Sequence, residues 1–171
     1  MNRKKPNLIV VAGPTASGKT AYAINLAKKL NGEIVNADSR QIYKFMDIGT
    51  NKGSIRKAGN LDKLLIDDRE IVPYELENSE VLGWLFDIVT PDEEFSVSDY
   101  QKLAREIIDN INSRGKVALL VGGTGLYIDA VVRNYQISTE PNTKLREALQ
   151  KRTSAELQHM VNRENPQLFV N

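Results

Sequence analysis

The chain has 171 residues with 41% hydrophobic and 26% charged side chains, which suits one globular domain, or one plus a fragment, with a core that needs no staples. Lys plus Arg total 23 against 22 Asp plus Glu, so whole-chain charge does not announce a nucleic-acid partner and any such binding must rest on local patches. Cysteine is absent, which excludes thiol catalysis, disulfides and Cys-based zinc sites, and with no bilayer-length apolar run or signal-peptide pattern the expectation is a cytoplasmic protein without membrane contact.

The first element is Leu8-Ile9-Val10-Val11-Ala12, a continuous β-branched run ended by Gly13-Pro14, as in a strand buried on both faces. After Gly18 a helical stripe follows, with Ala23, Leu26, Ala27 and Leu30 on one face and Asn31-Gly32 as its stop. Glu33 to Asn36 reads as a second strand. Residues 53–85 are polar and punctuated, with Asp67-Asp68-Arg69-Glu70 at their centre, and predict a surface excursion with a short hairpin or none. The clearest helix follows Pro91: Tyr100, Leu103, Ala104, Ile107, Ile108 and Ile111 share a face, Ser98 with Gln101 forms the predicted capping box, and Arg114-Gly115 closes it. Val117 to Val121 is another doubly buried strand, and Gly122-Gly123-Thr124 turns it into a helix through about Arg133. This alternation predicts a P-loop NTPase-like, three-layer α/β domain with a parallel sheet over 1–138. Beyond Thr139-Glu140-Pro141 the pattern becomes polar helices, the start of a small helical module over 139–171.

Gly13-Pro14-Thr15-Ala16-Ser17-Gly18-Lys19-Thr20 matches the P-loop pattern, between the buried strand and amphipathic helix that such a loop requires. Glycines let successive N–H groups point at phosphate oxygens, the helix N-terminus adds partial positive charge, and Lys19 adds a full one. The Thr20 hydroxyl is placed to ligate Mg²⁺, the expected cofactor. Ligands of open parallel sheets bind beyond the C-terminal strand ends, so the Asn36-to-Gln41 and Gly122-to-Thr124 loops should face the P-loop across one crevice. Asp38 is the carboxylate delivered there, as general base, as a Mg²⁺ ligand through water, or, with Ser39, as a helix N-cap. Arg40 pairs with phosphate or is a solvated charge. For His159, Trp84 and Tyr100 the readings are surface, packing and helix-face residues.

The P-loop GPTASGKT, NADSRQIYK at 36–44, MDIGT at 46–50, FDIVTPDEEFSVSDYQ at 86–101 and VGGTGLYI at 121–128 together resemble the tRNA dimethylallyltransferase family, over roughly residues 7 to 150. The resemblance implies transfer of a dimethylallyl group from its diphosphate to N6 of the adenosine 3′ of the anticodon, with base flipping. It implies that residues 13–20 hold the diphosphate, with Mg²⁺ at Thr20 and with Asp38, Thr15 and Lys19 as catalytic residues. It also implies tRNA contacts from Asp38, Ser39, Arg40, Gln41, Thr124 and Arg146, the last by a loose alignment with a helix-surface charge as its alternative.

Two departures qualify these expectations. The 53–85 segment is longer and more charged than usual, and the approach to the third strand reads Gly83-Trp84-Leu85-Phe86-Asp87 where the family carries a histidine. Family members are also longer. A chain ending at Asn171 would lack the Arg-rich helix motif, the last core strand and the C-terminal helices, leaving the P-loop strand open to self-association and catalysis weak or absent. A small-molecule kinase using the same cradle for ATP, and a non-catalytic diphosphate- or RNA-binding remnant, stay open as alternatives.

Overall fold

Strand β8 (Val117–Gly122) is the spine of the sheet, pairing in parallel with β1 (Leu8–Ala12) on one side and β2 (Gly32–Asn36) on the other. Its side chains obey the two-residue period of a strand: Ala118 and Leu120 enter one core cluster, and Val117, Leu119 and Val121 enter the other. Helix α1 (Lys19–Leu30) covers the second cluster with Ala23, Ile24 and Ala27. Helices α2 (Val97–Ser113) and α3 (Gly125–Val132) cover the first, where the rings of Tyr100 and Tyr127 stack with centroids 3.8 Å apart. The result is the expected three-layer α/β arrangement, in a computed structural model that describes residues 8–59, 63–77, 79–137 and 142–165.

The 53–85 region corrects the sequence reading. It holds β3 (Ile55–Lys57), β4 (Leu64–Ile66), β5 (Arg69–Ile71), β6 (Tyr74–Leu76) and β7 (Leu82–Trp84). Only β4 and β5 form the separate short hairpin, turned by Asp67 and Asp68 at φ of 48° and 60°. The other three extend the main sheet in the order β1-β8-β2-β7-β6-β3, with β7 parallel to β2 and β6 and β3 antiparallel. The sheet is therefore mixed rather than wholly parallel. These strands are three residues long, too short for alternation to stand out, and tertiary burial of Tyr74, Leu76 and Trp84 decides them. Trp84 packs beneath this region as expected, with Nε1 donating to Glu33 at 2.8 Å.

The capping box of α2 also falls one half-turn earlier than predicted. Ser96 and Asp99 form it, with the Ser96 Oγ accepting from Asp99 N at 3.2 Å, while Ser98 already lies inside the helix. Among the described residues, β1 pairs only with β8, and Val10 on it is 40% exposed.

The chain divides into two units, Met1–Gln136 and Ile137–Asn171. The expected boundary, from 138 through Thr139-Glu140-Pro141, lies outside the described residues. The second unit contains α4 (Thr143–Gln150), capped by the Asn142 side chain, and α5 (Ser154–Glu164), capped by a Thr153/Glu156 box. Neither helix fully buries a residue, and His159 is exposed on α5.

Candidate active site

Between β1 and α1 the chain makes a tight turn in which Ala16 and Gly18 take φ of 64° and 79°. Gly18 is the N-cap of α1 and brings no side-chain cap, so the first-turn amides stay open for an anion. Lys19 opens the helix, and its ammonium folds back over the loop to donate to the Pro14 carbonyl at 3.1 Å. Ser17 N donates to the same carbonyl at 3.4 Å. Thr20 sits half-buried in the first helical turn.

The Gly122-Gly123 turn lies against this loop. A Cβ on Gly122 would stand 2.1 Å from the Ala37 carbonyl oxygen, so only glycine lets the end of β8 meet the end of β2. Gly13 N donates to the Gly122 carbonyl at 3.3 Å, and Thr124 N donates to the Ala37 carbonyl at 3.1 Å. The two predicted loops thus lie together against the P-loop. Thr124 Oγ1 accepts from Ser39 N at 2.9 Å and donates to Ser39 Oγ at 3.1 Å, which joins two of the expected RNA-contacting residues directly.

Asp38 is held at this junction with its side chain 6% exposed. Its Oδ1 accepts from Arg40 N at 3.0 Å, which caps a turn over residues 39–42 and not a helix. The Arg40 guanidinium then spans the crevice: Nε is 3.7 Å from Asp38 Oδ1, and Nη2 donates to Thr15 Oγ1 at 2.9 Å. Asp38 is therefore tied to the anion loop through one side chain. Asn36 braces the turn from below, accepting from Asp38 N at 3.2 Å and donating to the Leu85 carbonyl at 3.1 Å. The Tyr100 hydroxyl donates to the Asn36 carbonyl at 2.9 Å. Gln41 turns the other way, donating to the Thr50 and Asn51 carbonyls at 3.0 Å each. Arg146 lies exposed on α4 in the second unit.

Two charged residues escaped the sequence reading. Lys52, with a side chain only 2% exposed, donates to Asp87 at 2.6 Å, Asp47 at 2.8 Å and the Tyr43 carbonyl at 3.1 Å. Burial pulls the Lys52 ammonium down, but hydrogen bonds and charge from Asp47 and Asp87 outweigh it and hold its pKa above the usual 10.5. Asp87 follows β7 as Asp38 follows β2. Had β7 been recognised as a sheet strand, the strand-end rule would have delivered this second carboxylate.

A tight turn at the head of a helix, with a carboxylate at the end of a strand two places along the sheet, defines a P-loop α/β domain. The sequence model of the IPP transferase family matches residues 41–169. A tRNA dimethylallyltransferase of Staphylococcus aureus strain JH9 is 38% identical over 164 residues, covering 96% of this chain and 46% of that protein. The solved tRNA isopentenylpyrophosphate transferase of Bacillus halodurans superposes with a TM-score of 0.60 at 34% identity, over 93% of this chain and 48% of its own. A eukaryotic dimethylallyltransferase acting on tRNA gives a TM-score of 0.70 at 25% identity, over 94% and 36%. The chain belongs to the IPP transferase family, and it spans about half the length of the curated relatives it matches.

Proposed function

We propose that this chain carries the diphosphate-binding and acceptor-activating part of a tRNA dimethylallyltransferase. The observation that carries the reading is the Arg40 bridge, which joins Thr15 of the anion loop to Asp38 of the acceptor turn. The amides of residues 13–20 and Lys19 bind the diphosphate of dimethylallyl diphosphate. The N6 amine of an unstacked adenosine attacks the allylic carbon as its bond to the diphosphate oxygen breaks, and Asp38 accepts the amine proton. Stabilising the departing diphosphate is the largest contribution, because its charge grows as the bond breaks. Ser39, Arg40 and Thr124, beside Asp38, orient the adenosine, Gln41 holds the 43–52 loop against this turn at the edge of the RNA contact, and Arg146 supplies a further tRNA contact.

The Thr20 hydroxyl is the group that would hold Mg²⁺ here, which leaves Asp38 for the proton. Among the described residues no group of three or more His, Asp or Glu side chains could cage a metal, so a bound ion would take its remaining ligands from phosphate and water, its usual habit. When bound it neutralises charge on the leaving diphosphate. Among the described residues the outer edge of β1 has no partner strand, and self-association through it would show in size-exclusion chromatography.

Asp38→Asn is the decisive variant. Label transfer from dimethylallyl diphosphate to tRNA should be abolished while inorganic diphosphate binding, read by thermal shift with Mg²⁺, stays nearly intact. Equal loss of both would remove Asp38 as the base. ATP stabilising the chain more than dimethylallyl diphosphate would favour a kinase instead.

A further inference from the structure

A second concavity of about 530 Å³ opens on the same edge of the sheet, beyond the ends of β7, β6 and β3. Neighbouring strands are ~5 Å apart, which puts it roughly 5–15 Å along the edge from the strand that carries Asp38. Phe86 and Tyr74 form part of its wall, Lys57 lies on the β3 side, and Phe45 and Asp47 border it from the 43–52 loop. The loop is not free to collapse: Lys52 staples it to Asp87, and Gln41 fastens it to the acceptor turn.

Phe45 is the unusual member. It is 83% exposed and takes φ of 64°, a conformation that disfavours any side chain and a bulky one most. An aromatic ring held in solvent at the mouth of a cavity, on a strained backbone, has no packing role to explain it. Asp47, with its side chain 72% exposed, gives Oδ1 to Lys52 and still has a second carboxylate oxygen. That is an acceptor for an amine on a ligand, and Lys57 is a cation for a backbone phosphate.

We propose that this pocket takes a second unpaired nucleotide of the RNA, one whose base carries an exocyclic amine, stacked on Phe45 and hydrogen-bonded to Asp47. The proposal rests on the tRNA reading of the neighbouring crevice and adds a subsite to it. Single-stranded RNA bases are held in this way, by aromatic faces and by edge hydrogen bonds.

The test is anisotropy titration of a labelled anticodon-type hairpin with the wild-type chain, Phe45→Gly and Phe45→Trp, alongside calorimetric binding of inorganic diphosphate. Phe45→Gly should weaken RNA binding about tenfold, the usual loss for one stacked base, while the melting temperature holds or rises because the backbone strain is relieved. Phe45→Trp should retain affinity, and diphosphate binding should not move. The penalty should vanish when one loop nucleotide other than the acceptor adenosine is made abasic. RNA affinity changed by less than about twofold in Phe45→Gly, a penalty persisting with every abasic position, or no RNA binding by the wild type each overturns the pocket. Lys19→Ala judges the parent reading separately. If it leaves diphosphate binding intact while Phe45 matters, the transferase reading falls and the pocket stands; the reverse removes the pocket alone.

Discussion

Two buried ions sit at opposite ends of the same strands, each gripped by two opposite charges. At the start of β2, Glu33 is 1% exposed and accepts from Arg114 at 2.6 and 2.7 Å, Lys116 at 2.7 Å and Trp84 at 2.8 Å. Past the end of β7, Lys52 is gripped by Asp47 and Asp87. The Glu33 partners come from the α2–β8 junction and from β7, so this cluster closes the frame. The Lys52 partners come from a loop and a strand end beside the proposed nucleotide pocket, so this one fixes the shape of that loop. The physics is the same at both ends; what each ion joins decides whether it serves stability or function.

The largest expected effect breaks the frame cluster. Glu33→Ala removes the buried carboxylate that Arg114 and Lys116 share and should cost ~3 kcal/mol in chemical denaturation, the low end for a broken buried pair, with diphosphate affinity of the folded fraction unchanged. Lys52→Met should cost less, ~2 kcal/mol, because Asp47 is 72% exposed and rehydrates; hydrogen exchange should quicken in residues 43–52 and barely change in β8. Equal stability losses with no loop-specific exchange would erase the distinction.

Acidity and alkalinity sharpen it with smaller effects. Burial raises the Glu33 carboxyl, but hydrogen bonds from Arg114, Lys116 and Trp84 outweigh it and hold it below its usual 4.5. Its contribution is therefore present above pH 4.5 and lost as pH falls through the lower folded value. The raised Lys52 pKa works in the other direction: its contribution is complete below pH 10.5 and lost as pH rises through the higher folded value. Melting curves of Glu33→Gln should converge with wild type on the acid limb, and those of Lys52→Met on the alkaline limb. The smallest change is expected from Arg56→Ala, whose side chain is 80% exposed in its pair with Glu75; about 0.5 kcal/mol or less sets the baseline for a solvated ion pair.

How much of the site could be read in advance follows from the range of the interactions involved. The P-loop spells out its own backbone: Gly18 where φ is positive, an apolar run before and a helical stripe after, all within about twenty residues. Asp38 follows from the same rule, because its strand precedes it directly. Lys52 does not. It looks like any surface lysine, and its partners Asp47 and Asp87 matter only because β7 lies beside β2. The same holds for Arg40, read as either a phosphate partner or a solvated charge, and found bridging Thr15 and Asp38.

The sequence alone determined the alternation of strand and helix, the glycine-bearing turn after β1 and the end of the sheet at which the three loops meet, because each rests on local periodicity and backbone freedom. Only the tertiary structure decided that three short strands of 53–85 extend the sheet, and that buried ions at its two ends have different tasks. Short strands and ion pairs take their stability from neighbours far away in sequence, and no local pattern records which neighbours those will be.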